Sequence, residues 1–420
     1  MPTVKKIMLT FLTLIIVLPS VTTAHAAVLD EKIDGISSAL VVDLKTGQVI
    51  LDQDGGTRVQ VAPASKILTT YLVLQAIKEK QFKRSDRITI NAQEAAFSND
   101  TVHTPIPLKE GQKVTVEQLL TQMFLQRSAL AQVVFARLLQ GSSEGFAVKM
   151  NDQMAEWGIH GTDFYPGAVD STTGAVTEAH NELSLREMAI LVRHLVNEFP
   201  EVMKIANLVK AEVPSANGPI TIENQNELLT RKTDYKFEGL AVGIMPNNTG
   251  MILDTITTLH GRKVAVLVAN DDGGSVFDSA VNILNAINDK IHVVTLPAHK
   301  AVGKISVQNA IKAGKQTIET QVATSLFAPW AITNKDVTVL MRPILNLSAP
   351  LTAGEAVDRN EMVYIQGKNS TETKNLNDNI EDPPRVSLVM RNNVKRVNSI
   401  MMFWQSIQNW FGNSEDAEGK

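Results

Sequence analysis

"VAPASKILTTYL", Val61 to Leu72, is the stretch on which the reading of this chain turns. A short apolar run ends at Pro63-Ala64-Ser65, and residues with strong helical preference follow at once. Apolar side chains recur at Leu68, Leu72, Leu74, Ala76 and Ile77, a spacing that predicts an amphipathic helix over 66–80. A serine at the mouth of such a helix has two chemical uses. It caps the helix by accepting from an orphan backbone amide, or it attacks a carbonyl when a base stands close enough to take its proton. The second use wants a lysine three residues on, because positions i and i+3 share a helix face. Here that position is Leu68. Lys66 is the neighbouring amine, but a step of one residue turns the helix by about 100° and points it elsewhere. On these residues Ser65 is expected to cap the helix.

Working outward, "ISSALVVDLKTGQVILDQ" alternates apolar and polar residues on both sides of Lys45-Thr46-Gly47 and reads as a hairpin. Beyond Gly111, Thr115 with Gln118 forms a capping box that opens a helix through "EQLLTQMFLQ". "AQVVFARLLQG" is a further helix closed by Gly141, and "EGFAVKMNDQMAEWG" another closed by Gly158. After the helical "SLREMAILVRHLVNEF" the pattern turns to strands in "GLAVGIMPN", "MILDTITTLHG" and "RKVAVLVAND". A helix near Ser275 to Lys290 ends this part. Helices clustered in mid-chain with strands on either side predict an α+β fold with a mainly antiparallel sheet.

From about Ile291 the texture changes. "HVVTLPAHKAVGKISV", "KQTIETQVA", "DVTVLMRPILNLSAP" and "RVSLVMRN" are short strand-like runs separated by Gly, Pro, Asn and Asp, as in a small all-β module. "GKNSTETKNLNDNIEDPP" is a long polar loop within it. The last segment, "VKRVNSIMMFWQSIQNWFG", places Val397, Ile400, Met401, Trp404, Ile407 and Phe411 on one helical face, with Trp410 beside them. Such a helix suits a membrane interface. The acidic residues Glu415, Asp416 and Glu418 beyond it weigh against contact with an anionic lipid surface.

With 420 residues, 44% of them hydrophobic, and a net charge of −4, the chain has material for a sizeable core and lacks the basic balance of a nucleic-acid binder. It contains no cysteine, which excludes disulfides and thiolate metal sites. The eight histidines show no His-x-x-x-His spacing, and neither a metal nor a cofactor is expected. At the N-terminus, Lys5 and Lys6 precede an apolar run from Ile7 to Leu18 and then Ala24-His25-Ala26. That is the order of a secretory signal with an A-x-A cleavage site, so residues 1–26 are expected to be removed and the protein exported.

Several stretches together resemble the serine D-alanyl-D-alanine carboxypeptidases, the low-molecular-weight penicillin-binding proteins. They are the hairpin followed by "APASKILTTYL", the helical run from Val114 to Phe164, "NQNELL", "GLAVGIMPNNTG" and "LSAPLTAGEAV". The resemblance spans most of residues 30–411. It implies a penicillin-binding, β-lactamase-like α+β domain over 27–292, a β-rich domain over 293–391, and an amphipathic helix with an acidic tail over 392–420. It also implies action on peptidoglycan stem peptides at the outer face of the membrane or in the wall, with peripheral membrane contact through the terminal helix.

The family's three catalytic motifs are not met. Ser-x-x-Lys reads Ser65-Lys66-Ile67-Leu68, without the base. Ser-x-Asn, which relays protons and holds the substrate amide, aligns with Arg127, Ser128 and Ala129. Lys-Thr-Gly, which binds the substrate carboxylate, aligns with Met245, Pro246 and Asn247, and Pro246 also lacks a backbone donor. Substitutes would be Lys66, Ser128 after a one-residue shift, and Asn248-Thr249-Gly250, none of which supplies both the base and the carboxylate anchor. Catalytic groups of this kind act as a unit. The expectation is a catalytically impaired relative that binds stem peptide or other cell-wall proteins. The alternative is a residual carboxypeptidase that uses Ser65 with shifted partners.

Two other matches are turn chemistry. Lys45-Thr46-Gly47 repeats the third motif by letters but lies at a hairpin tip ahead of Ser65. "GSSEG", Gly141 to Gly145, has the letters of a hydrolase elbow but follows a helix, and is expected to be a helix stop with an N-cap at Ser142 or Ser143. His180, ahead of a helix, is expected to be structural, and Arg127 to be a solvated or ion-paired arginine.

Overall fold

The structure, a computed structural model, describes residues 29, 32–60, 62–98, 106–126, 128–169, 176–177, 181–244, 251–270, 274–296, 298–299, 301–308, 317–322, 326–331, 337–341, 347–357, 363–367, 385–386, 388–396, 400 and 403. The expected leader over 1–26, Arg127, His180, the third-motif positions Met245, Pro246 and Asn247, and their substitutes Asn248, Thr249 and Gly250 lie outside those residues. So do Met401, Trp404, Ile407, Trp410 and Phe411 of the terminal segment, of which Ile400 and Phe403 stand exposed.

The hairpin is β1 (Ser38–Asp43) and β2 (Val49–Gln53), paired antiparallel. Its turn is fixed by Asp43, whose carboxylate accepts from the Thr46 amide at 2.7 Å and the Thr46 hydroxyl at 2.9 Å. Arg262 donates to the other oxygen of Asp43 at 2.6 Å, and both side chains are buried. Lys45-Thr46-Gly47 is thus a turn, as its position predicts.

The helices α1 (Ala62–Lys78), α2 (Val116–Gln126), α3 (Ala129–Gln140), α4 (Ser143–Glu156) and α5 (Leu185–Glu198) follow. Their ends obey local chemistry. The capping box ahead of α2 is present, with Thr115 N donating to Gln118 Oε1 at 2.9 Å and Gln118 N to Thr115 Oγ1 at 3.1 Å. Gly141 closes α3 with φ of 78°, and the Ser142 side chain caps α4 by accepting from Gly145 N. A second box, Ser184 with Glu187, starts α5. Tyr71 holds α1 against α4 and α5: its ring meets Trp157 and Phe199 edge-on at 4.7 and 5.2 Å, and its hydroxyl donates to Glu198 at 2.9 Å.

A small hairpin, β3 (Lys210–Ser215) with β4 (Gly218–Glu223), then leads into β5 (Phe237–Ile244), β6 (Met251–Leu259) and β7 (Arg262–Asn270). These three strands join the first hairpin in one antiparallel sheet of order β5-β6-β7-β1-β2. Side chains alternate between its two faces. Leu40, Val42, Ile252, Ile256 and Leu267 enter a core shared with α1 to α5, whereas Val41, Leu253, Val266 and Val268 enter another beneath α6 (Val276–Asn288). The α+β reading and its antiparallel sheet hold.

Beyond α6 most of the described residues are in strands. His292–Leu296 pairs with Leu326–Ala331, Ala301–Gln308 with Thr317–Val322, and Val337–Met341 with Val363–Gly367, all antiparallel.

Candidate functional site

Helix α1 begins at Ala62, so Ser65 is its fourth residue and does not cap it. The proline permits this early start, because a first-turn residue has no intrahelical amide bond to lose. Ser65 is also wholly buried.

Leu68, at the position of the missing base, is equally buried and lies in the main core with Leu72, Tyr71 and Leu130. Helix α1 therefore points its i+3 side chain into hydrocarbon. From Ala64 to Tyr71 it carries no carboxylate and no imidazole.

Lys66 takes a different direction. With Ile67 and Thr70 it lines a narrow cleft of about 20 Å³ between α1, α2 and the outermost strand β5, whose other walls are Met123, Phe124, Leu240, Ala241 and Val242. The i+1 amine thus faces the sheet edge while the serine beside it is enclosed, as the rotation between neighbouring residues requires. Thr70 belongs to the same wall, and its hydroxyl donates back to Lys66 O at 2.8 Å.

Strand β5 is brought to this wall by an unusually close contact. A Cβ on Gly239 would stand 2.2 Å from Ala206 O, so only glycine fits, and Gly239 N donates to Asn207 Oδ1 at 2.8 Å.

At the second-motif positions Ser128 precedes α3 as its N-cap residue, but its side chain makes no capping bond. The Ser128 hydroxyl is buried without a hydrogen-bond partner, as are both amide atoms of Gln132 one turn on and the hydroxyl of Thr69 on α1. Ala129 is buried as well. This is a seam of neutral polar groups between packed helices. It can accept or donate hydrogen bonds, but it contains no group that takes a proton from a hydroxyl near neutral pH.

One titratable group close to this region escaped the sequence reading. Asp254 lies in mid-β6, in register with Ala241 of β5 and Leu267 of β7. Its side chain shares a face with Ile252 and Ile256, on the helical side of the sheet, and neither carboxyl oxygen has a hydrogen-bond partner. Burial pushes its pKa up to about 8. It therefore carries its proton at neutral pH and is no base there. The signal was present in "MILDTITTL", where strand alternation sets an acid among isoleucines.

Among the described residues no group of histidines and acids has the arrangement of a metal site.

Comparison with known proteins fits this architecture. The family model for D-alanyl-D-alanine carboxypeptidase matches residues 22–273. The D-alanyl-D-alanine carboxypeptidase DacF of Bacillus subtilis is 28% identical over 159 residues, which cover 38% of this chain and 38% of that protein. DacA of Escherichia coli is 28% identical over 194 residues, covering 44% of this chain and 47% of the relative. The chain thus spans less than half the length of these two relatives. A solved structure described as a peptidoglycan synthesis regulatory factor (PBP3) from Streptococcus pneumoniae superposes with a TM-score of 0.68 at 21% identity, over 86% of this chain and 99% of that one. This last likeness speaks for the fold alone.

Proposed function

Because the chain belongs to the D-alanyl-D-alanine carboxypeptidase family, we propose that it serves the cell wall outside the cytoplasm by binding peptidoglycan stem peptides without hydrolysing them. One observation carries this reading: Ser65 is fully buried, and the residue one turn on is a leucine sunk in the core. An acyl-enzyme needs a hydroxyl that a carbonyl can reach and an acceptor for its proton; the burial of Ser65 and the leucine in place of the family's lysine support a binding role over a hydrolytic one. The narrow cleft beside β5 supports this reading at one point of contact, because Lys66 sets a cation in an otherwise largely apolar wall, suited to the terminal carboxylate of a peptide lying along the surface. Scaffolding of other cell-wall proteins, and peripheral membrane contact through the segment beyond Arg396, belong to the same reading.

The test is acylation. Purified protein exposed to a fluorescent penicillin is expected to take no more covalent label than Ser65→Ala, and to release no D-alanine from a pentapeptide. Leu68→Lys is expected to stay unlabelled and to lose about 3 kcal/mol or more of stability, since the ammonium enters hydrocarbon. Pentapeptide binding, followed by calorimetry, is expected to weaken about tenfold in Lys66→Met. Label that disappears in Ser65→Ala would instead assign a working carboxypeptidase with shifted partners.

A further inference from the structure

The far end of α1 borders a second cavity, of about 140 Å³, which the site above does not use. It lies about two to four helical turns beyond Lys66, where the ends of α1 and α3 meet α4. Its floor is Leu72, Ala76 and Leu139. Helix α1 stops there through Lys80, which adopts φ of 63°, while Gln81 N donates to Ala76 O at 3.0 Å. This reversal returns the Gln81 side chain to the cavity rim, where its amide donates to Glu79 Oε2 at 2.9 Å. Across the cavity stands Lys149 of α4, with Gln75 and Gln140 completing the polar wall.

Two charges of opposite sign thus share one small cavity without forming an ion pair, and no described residue forms an ion pair with either. An apolar floor, an acceptor on one wall and a cation on the other complement a small zwitterion. A cavity of roughly 150 Å³ holds a benzene-sized molecule of about six heavy atoms, which is also the size of an α-amino acid with a very short side chain.

We propose that this cavity binds a small α-amino acid, its carboxylate held by Lys149, its ammonium by Glu79, and its side chain laid on Leu72, Ala76 and Leu139. The site is separate from the cleft beside β5 and does not depend on the function proposed for that cleft.

The experiment is calorimetric titration of the full chain with alanine, both enantiomers, at up to about 10 mM, where weak ligands of this size register. Saturable binding is expected, about tenfold weaker in Lys149→Met and in Glu79→Gln, since each removes one charge-assisted contact. Both variants alter partly or fully exposed side chains, and circular dichroism checks their fold. On the unaltered protein, N-acetyl-alanine and alanine amide, each lacking one charge, are expected not to compete. Absence of saturable binding, parental affinity in either variant, or full competition by either analogue overturns the proposal.

Discussion

A carboxyl group buried without a partner is costly to keep charged, so it holds its proton instead. Asp254 does this between β5 and β7, with a pKa pushed up to about 8 by burial. Its folded-state value lies above the unfolded one, so the native protein binds a proton that the unfolded chain releases. That contribution is whole below the unfolded pKa of about 4 and is lost as the pH rises through about 8, at about 1.4 kcal/mol per pH unit in between. Asp254→Asn is expected to flatten this part of the stability profile and to raise the melting temperature at pH 8 by several degrees. Urea denaturation at half-unit steps of pH checks the slope; a variant that tracks the parent at every pH would show that Asp254 does not titrate in this range. The residue also marks what alternation alone fails to warn of. The sequence reveals the face on which Asp254 lies, but not that both neighbouring strands cover it with apolar side chains.

At the scale of elements, the turn between β1 and β2 depends on a strand more than two hundred residues away. Arg262 of β7 donates to the buried Asp43 carboxylate, which also organises Thr46. Removing one partner of such a pair leaves an uncompensated charge and costs about 3–5 kcal/mol, whereas removing both costs much less. Arg262→Met is therefore expected to destabilise by that amount in chemical denaturation, and Asp43→Asn combined with it to recover most of the loss. Equal losses in the single and double variants would mean that Asp43 gains nothing from the arginine. Helix ends were the most legible feature of the sequence, because capping at Thr115 and Ser142 and closure at Gly141 depend on residues a few positions apart. The start of α1 was less legible. Ser65 has the chemistry of a cap, yet Pro63 fits inside the first turn, and three residues of helix precede the serine. The β3–β4 hairpin was missed, since its weak alternation is exposed on one side and its packing against α2 is tertiary. Of the candidate site, the loss of the lysine at 68 was readable. The burial of Ser65 and the outward course of Lys66 needed the packing of α1 against its neighbours.

For the whole molecule, no helix among the described residues is long and apolar enough to cross a membrane. The peripheral contact proposed above falls on the segment beyond Arg396, at whose start Ile400 and Phe403 are exposed. A truncation after Arg396 preserves the pairing of Leu351 with Val394, so it is expected to move the protein from the membrane fraction to the soluble one with its melting temperature unchanged. Retention in the membrane fraction would exclude this segment as the attachment. The sheet itself imposes an order of events. Strand β1 sits between β2, which follows it directly, and β7, which ends at Asn270. Closing so long a loop is entropically costly and slow, and the entire helical half lies inside it. While the chain emerges from a ribosome or a translocation pore, the first hairpin must therefore wait with one edge uncovered until residue 270 has appeared. A holding chaperone would find its natural target in that interval.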